Sequence, residues 1–333
     1  MIKIGIIGMG RVGSQHLEKL LENDYFDVIG CFDINKEKLQ RISEEYNVKQ
    51  YEDVDELIQQ CDAVDILTSA DSHFYYAEKA IRYGKHIFID KPISNNLEEA
   101  KRLAELVREA GIKFQIGHIE RFNPAFLALK SFEINPILIE AHRLSVFDPK
   151  RVSDSIIFDV LIHDIDIVLS LVKANIKHIN ANGVAVLSNQ IDVVNVHIEF
   201  DNGCVANLTA SRIAEQKMRK MLLFERNCHY TLDFLQREAE MVKLSETSKH
   251  NSVPLRLQET MYYINSETLE TEEYDALKEE LKTFAECLIF NTEPKVSVSD
   301  GLKSLEVAHE ILRKINKLNG HQFSADNKLL NAV

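Results

Sequence analysis

Apolar and polar positions fall into a repeating order over the first third of the chain. Residues 2–7 (IKIGII) form a short apolar run, and in the RVGSQHLEKLLE that follows, Val12, Leu17, Leu20 and Leu21 share one helical face. The same order recurs three times. DVIGCF (27–32) leads to NKEKLQRISEEY, AVDILTS (63–69) to SHFYYAEKAIRYG, and KHIFID (85–90) to NLEEAKRLAELVREAG, before KFQIGH (113–118) closes the series. Apolar runs joined by amphipathic helices predict a parallel sheet covered on both faces.

The rhythm changes after residue 120. Residues 137–147 read as a strand, 155–172 as a helix, and 178–187 and 192–212 as long alternating segments with a turn at Asp201-Asn202-Gly203. Strand-like pieces continue to about residue 265. Two helices follow, near 274–290 and 300–318, and the last dozen residues read as a loose tail. Strands running into strands predict a largely antiparallel sheet flanked by a few helices. The fold class is therefore α/β: an N-terminal doubly wound Rossmann domain over 1–120, and over 121–333 an α+β domain with a large, mostly antiparallel sheet.

The chain's 333 residues exceed what a single core usually serves, in agreement with two domains. Its 39 basic and 52 acidic residues leave a formal charge of −13, spread along the chain, which argues against a nucleic-acid binder. Cys31, Cys61, Cys204, Cys228 and Cys287 are widely spaced, with no C-x-x-C pair. They fit buried reduced thiols in a cytoplasmic protein better than disulfides or a zinc site. Lys3, Gly5 and Gly8 interrupt the apolar start, and no signal peptide or membrane span is expected.

Candidate chemistry begins at Gly8-x-Gly10-x-x-Gly13, directly between the first strand and the first helix. Gly8 allows the tight turn, Gly10 the approach of a pyrophosphate to the backbone, and Gly13 close packing of helix on strand, while the helix N-terminus offers N–H groups to the phosphates. Asp33 follows 20 residues after Gly13, at the end of the second strand, where a carboxylate accepts hydrogen bonds from ribose hydroxyls and repels a 2′-phosphate. These residues predict NAD as cofactor rather than NADP, although Lys36 stands nearby. Lys91, in Asp90-Lys91-Pro92, sits at the carboxyl end of another strand, where doubly wound sheets bind ligands. In FDVLIHDIDIVLSLV, Asp159 and His163 lie four residues apart, on one face if the segment is helical. Taken alone, His163 reads as a hydrogen-bonded core histidine, and Asp164 and Asp166 as a solvated helix face. Carboxylates and one histidine on a single helix do not define a metal site, and no metal is expected.

Six stretches together carry a resemblance: the glycine loop, TSADSHFYYAEKAI (68–81), GKHIFIDKP (84–92), GHIERFNPA (117–125), FDVLIHDID (158–166) and NTEPKVSVSDGLKSLEVAHEIL (291–312). The sequence resembles the glucose–fructose oxidoreductase and inositol dehydrogenase family of NAD(P)-dependent sugar oxidoreductases. The family pattern usually has Glu where this chain has Asp90. The resemblance implies that Lys91, Asp159 and His163 are catalytic, and that Gly8, Gly10, Arg11, Val12, Gly13, Asp33, Thr68, Ser69, Asp71, His73, Asp90, Lys91 and Pro92 hold the cofactor. It further implies a cis Lys91-Pro92 bond, and substrate contacts from His118, Arg121 and Asn123 together with Lys91, Asp159 and His163; hinge packing is the other reading of His118, Arg121 and Asn123.

Among the branches of the family, the motifs look most like UDP-N-acetylglucosamine 3-dehydrogenases. A UDP-sugar substrate would call on basic residues such as Arg121, Arg143, Lys150, Arg151 and Arg212, each of which by itself reads more readily as a surface charge or salt-bridge partner. The alternatives are a free polyol or sugar such as inositol, and a dinucleotide-binding regulatory protein without turnover. The resemblance also implies that 121–333 serves substrate binding and oligomerisation, with homodimers or homotetramers built through the C-terminal sheet.

Overall fold

The computed structural model describes residues 1–149, 155–249 and 251–330, with side chains described through residue 317. In chain order the first elements are β1 (Ile2–Ile7), α1 (Arg11–Leu21), β2 (Phe26–Phe32), α2 (Lys36–Tyr46), α3 (Val54–Gln60), β3 (Ala63–Ile66), α4 (Ala70–Arg82), β4 (His86–Asp90), α5 (Leu97–Ala110) and β5 (Phe114–Gly117). Next come α6 (Pro124–Leu127), β6 (Leu138–Leu144), a π-helical turn over Ile157–Leu161, and α7 (Ile162–Leu171). The strands β7 (Ile176–Val184), β8 (Val193–Phe200), β9 (Val205–Ser211), β10 (Met218–Glu225), β11 (Cys228–Asp233), β12 (Glu238–Ser245), β13 (Val253–Leu257) and β14 (Thr260–Thr268) follow. Helices α8 (Ala276–Phe290) and α9 (Val298–Leu330) close the chain.

The elements divide into two compact units, Met1–Phe122 with Tyr274–Leu305, and Asn123–Glu273 with Glu306 onward. A boundary near residue 120 does not assign 274–305 to the first unit. The reason is packing at long range: Leu281, Phe284 and Ala285 of α8 join Ile4, Ile6, Leu17, Phe26 and Phe88 in one core. Phe284 meets Phe88 edge-on at 5.7 Å and stacks on Phe26 at 6.5 Å, and such aromatic contacts add to the burial itself.

The sheet of the first unit runs β2-β1-β3-β4-β5, all parallel. Its order reverses between β1 and β3, and the carboxyl ends of strands at such a switch point are where open α/β sheets bind ligands. Local chemistry sets the helices. Asn35 and Asn96 cap α2 and α5 by accepting from Lys38 and Glu98 amides, and left-handed Asn47 and Gly111 end those helices.

The second unit is built on a nine-stranded sheet, β13-β14-β12-β11-β10-β6-β9-β8-β7. Only the central β6–β9 pair is parallel; the other pairings are antiparallel. Alternation within β6, β8 and β9 sends Ile139, Ala141, Val194, Val196, Leu208 and Ala210 into a core shared with α7 and with Val307, Ala308, Ile311 and Ile315 of α9. The intervening side chains carry a polar ladder across three strands. His197 Nδ1 lies 2.7 Å from Asn207 Oδ1, and Asn207 in turn donates to Glu140 at 2.8 Å.

Two expectations change. The backbone of α9 stays helical to Leu330, where a loose tail was expected, since each residue added to a formed helix gains a hydrogen bond. The helix expected over 155–172 runs from 156 to 171 but contains a π turn: Ile162 N–H reaches back five residues to the Ile157 carbonyl before α7 begins. All five cysteines are free, and four are buried. No helix among the described residues is long and apolar enough to cross a membrane.

Candidate active site

In the first unit, the glycine loop forms an open cradle. Gly8 has φ +99°, a conformation that favours glycine, and a Cβ at Gly13 would lie 2.0 Å from the Gly8 carbonyl oxygen. Gly10, by contrast, is the N-cap of α1, and a Cβ there would meet nothing within 4 Å. The loop is tight where helix packs on strand and open where the α1 amides point outward, as an anion-binding helix start requires. Arg11 is exposed and Val12 half-buried on the first turn of that helix.

Asp33 is nearly buried, and both its oxygens are engaged. Oδ2 accepts the Met9 amide at 2.8 Å and Oδ1 the Asn35 amide at 2.8 Å, with Lys38 Nζ 3.5 Å from Oδ2. It does not cap α2, a role Asn35 fills; instead it straps the second strand to the glycine loop. Its neighbour Ile34, 83% exposed, is an apolar surface that the sequence marks only by its place after the acidic residue.

Beneath the loop, His16 Nδ1 lies 2.8 Å from Asp65 Oδ2, tying α1 to β3. Burial pulls the His16 imidazole down, and Asp65 more than offsets it, so the net shift is upward; burial raises Asp65. Sequence reasoning missed this pair, because the two residues are 49 positions apart.

The loop after β3 and the turn after β4 carry the next candidates. Thr68 is half-buried and Ser69 and Asp71 are exposed at the start of α4, with Asp71 accepting from Asn95. His73 is a different matter. Only 1% exposed, its ring nitrogens lie 2.9 Å from the Pro92 oxygen and 3.1 Å from the Thr68 oxygen. The ring braces the two segments from below and turns no nitrogen outward, and burial shifts its pKa down despite Asp90. Asp90 Oδ1 accepts the amide of Lys91, and the Lys91-Pro92 bond is cis. Lys91 itself is half-buried, directly after the strand end.

At the end of β5, His118 is buried and Arg121 is half-buried in a short 3-10 turn, Ile119–Phe122. Asn123 belongs to the second unit and has structural work there. Its Oδ1 caps α6 through the Ala125 amide and its Nδ2 donates to the Phe234 carbonyl.

Also in the second unit, Asp159 lies inside the π-helical turn and His163 in the first turn of α7; both are half-buried. A π turn holds more than four residues, so position i+4 falls short of a full revolution instead of passing it. Asp164 and Asp166 are both buried, not the solvated face expected. Asp164 holds Arg143 through two bonds, Nε–Oδ2 at 2.9 Å and Nη2–Oδ1 at 2.7 Å. Arg143 is therefore no free phosphate contact. Nor is Arg212, whose Nη2 donates to the Ile191 carbonyl and whose Nε lies 3.8 Å from Asp192. Lys150 and Arg151 lie outside the described residues. No cluster of histidine, cysteine or acidic side chains able to hold a metal occurs among the described residues.

A five-stranded parallel sheet with a glycine loop and an open helix start at its switch point, in a chain that also carries a broad sheet unit, is the architecture of a dinucleotide-binding domain joined to a second domain. Comparison with known proteins agrees. Residues 2–118 match the oxidoreductase family with an NAD-binding Rossmann fold, and residues 129–227 match the GFO/IDH/MocA C-terminal domain. The chain is 34% identical over 235 residues to the UDP-N-acetylglucosamine 3-dehydrogenase of Acidithiobacillus ferrooxidans, covering 70% of this chain and 74% of that protein. It is 27% identical over 336 residues to the myo-inositol 2-dehydrogenase of Thermotoga maritima, covering 95% and 97%. A solved structure of the Acidithiobacillus ferrooxidans enzyme superposes with a TM-score of 0.86 at 28% identity, covering 94% of this chain and 97% of that one. The chain belongs to the GFO/IDH/MocA family and is an NAD(P)-binding oxidoreductase.

Proposed function

We propose that this protein oxidises a secondary hydroxyl of a nucleotide-linked amino sugar, the 3-OH of UDP-N-acetylglucosamine, with NAD as hydride acceptor. The observation that carries the substrate is the 34% identity to an enzyme of that name over 70% of the chain. Full-length similarity to a myo-inositol 2-dehydrogenase favours a second reading, a free cyclic polyol.

For the cofactor, Asp33 supports NAD over NADP. Its carboxylate is fixed by two backbone amides at the strand end, where it meets ribose hydroxyls and opposes a 2′-phosphate. Lys36, the basic residue nearby in sequence, is an exposed side chain 4.0 Å from Glu52. Gly8, Gly10, Arg11, Val12 and Gly13 would hold the pyrophosphate, and Thr68, Ser69, Asp71, Asp90, Lys91 and Pro92 the nicotinamide side. His73 would act on these segments from underneath. The bound nicotinamide supplies the hydride acceptor.

The chain's own residues handle the proton. Neutral imidazole of His163 takes it from the substrate hydroxyl, as suits a base working near neutral pH. The Lys91 ammonium hydrogen-bonds the same oxygen and stabilises the charge that develops on it, and Asp159 orients the substrate or the lysine. His118, Arg121 and Asn123 are assigned to substrate recognition, Asn123 from its place at the N-cap of α6. We further infer a cytoplasmic homo-oligomer, dimer or tetramer, formed through the polar face of the nine-stranded sheet.

The test is to follow reduced nicotinamide while the purified chain meets NAD⁺ with UDP-N-acetylglucosamine, other UDP-sugars, free N-acetylglucosamine and inositols. Turnover of the UDP-amino sugar with kcat/KM at least about tenfold above the polyols, a difference of ~1.4 kcal/mol, supports the first reading. Preference for inositol would establish the second.

A further inference from the structure

Arg143 is a charged residue on a core-facing position. Burial along β6 alternates so that Ile139, Ala141 and Arg143 share the face turned to the hydrophobic core, and Arg143 is only 4% exposed. A guanidinium there is costly unless paired, and Asp164, 3% exposed, meets it with both oxygens. The Phe234 ring lies 5.8 Å from the guanidinium carbon. A planar fork on a carboxylate fixes orientation as well as distance, which a single ammonium would not.

The position of the pair along the chain is informative. Asp164 directly follows His163 in the first turn of α7, and the π turn carrying Asp159 ends at Leu161. Burial holds this segment in place but specifies its rotation poorly, because Ile162, Ile165, Ile167 and Val168 are buried on several sides of the helix. A rotation by one residue would break both contacts to Arg143 while leaving apolar side chains against the core. The fork therefore supplies the rotational register that hydrophobic contact does not.

We propose that Arg143 is a positioning residue: by clamping Asp164 it sets the rotation of the π-to-α segment, and through it the aim of His163 and Asp159. This rests on the proposed roles of those two residues. The clamp acts without touching substrate, and it gives the buried pair a use beyond stability.

The test uses the full chain and four variants: R143K, the apolar pair R143M/D164L, D164N and H163N. Replacing a buried ion pair by apolar residues of similar volume is often neutral for stability, so the double variant is expected to melt within a few degrees of wild type. Its kcat on the substrate turned over by wild type is expected to fall by about 10- to 100-fold, with the KM for NAD⁺ changed less than about threefold, since small misplacements of catalytic groups have effects of that order. R143K, which keeps the charge but not the fork, is expected to fall in between. A turnover-free readout is the His163 ring resonance, assigned by its loss in H163N, which is expected to shift in the double variant. An inactive H163N beside a double variant with wild-type kcat and an unmoved resonance would overturn the clamp alone. Wild-type turnover by H163N would instead overturn the site reading, and the proposal with it. Should the double variant not fold, D164N and R143K decide by the same readouts.

Discussion

Exchanging Gly10 and Gly13 separately for alanine tests the proposed phosphate cradle, because the two glycines stand in opposite surroundings. A Cβ at Gly13 would stand 2.0 Å from the Gly8 carbonyl oxygen, where ordinary contact begins at 3.4 Å, so α1 and the loop must separate by more than an ångström. Overpacking of that kind costs about 1–3 kcal/mol, and Gly13→Ala is expected to lower the melting temperature of the cofactor-free protein. At Gly10 an added methyl meets nothing within 4 Å, and φ −70° suits any residue. Less freedom in the unfolded chain and a poorer N-cap act in opposite directions, so Gly10→Ala is expected to change stability by under ~1 kcal/mol. The space the methyl takes is the space a pyrophosphate needs. Losing one charge-assisted hydrogen bond costs about 1.5–3 kcal/mol, which is roughly 10- to 100-fold in Kd. Thermal melts of the apo proteins and NADH fluorescence titrations provide both readouts. A Gly10→Ala variant that binds NADH as wild type does, or a Gly13→Ala variant that melts as wild type does, would refute the assignment.

Further expectations follow from single side chains. Asp33→Asn keeps the size of the side chain but removes the charge and turns one of two accepting oxygens into an NH2 that cannot take an amide; NADH affinity is expected to fall about tenfold or more, and an unchanged NADH-to-NADPH ratio would exclude Asp33 as the selector. In the β7–β8 loop, burial alone would push the Asp192 carboxyl up, but the Val186, Leu187 and Ser188 amides and the Ser188 hydroxyl pull it down to about 2. A depressed carboxylate stabilises the fold above its unfolded pKa near ~3.9 and loses that contribution as pH falls toward about 2, a difference on the order of 2–3 kcal/mol. Asp192→Asn is therefore expected to lower the melting temperature at neutral pH and to flatten the loss of stability between about pH 4 and 2; melts at both ends of that window check it.

Local order in the chain was legible wherever a few neighbouring residues decide the outcome. The glycine spacing after β1, the acid at the end of β2 and the Asp201-Asn202-Gly203 turn between β8 and β9 all act within short range, and the structure has them in the expected elements. Helix α3 escaped notice because seven residues are too few to display a helical period. The π turn escaped for a related reason, since one widened turn hardly alters an apolar pattern. What remained hidden was long range. Nothing in α8 announces that Phe284 will pack on Phe88, nor in His73 that its ring will sit between two carbonyls. Arg143 and Arg212 read either as phosphate contacts or as salt-bridge partners, because a sequence displays charge without its partner; the structure has them as the latter, with carboxylates 21 and 20 positions away. Asn123, expected to bind substrate, also caps α6 and donates to the Phe234 carbonyl, contacts that its motif does not announce.

The account stands on Lys91 as the cation at the reacting oxygen, and the direct measurement is turnover of Lys91→Met beside its NADH affinity. Methionine keeps most of the stem and removes the charge. The expected result is kcat lower by a factor on the order of 10² to 10³, the usual scale for losing one stabilising donor at a developing oxyanion, with a loss of NADH affinity below about tenfold because Lys91 is one of several cofactor contacts. Wild-type kcat in that variant, on the substrate the native protein oxidises, would contradict the account.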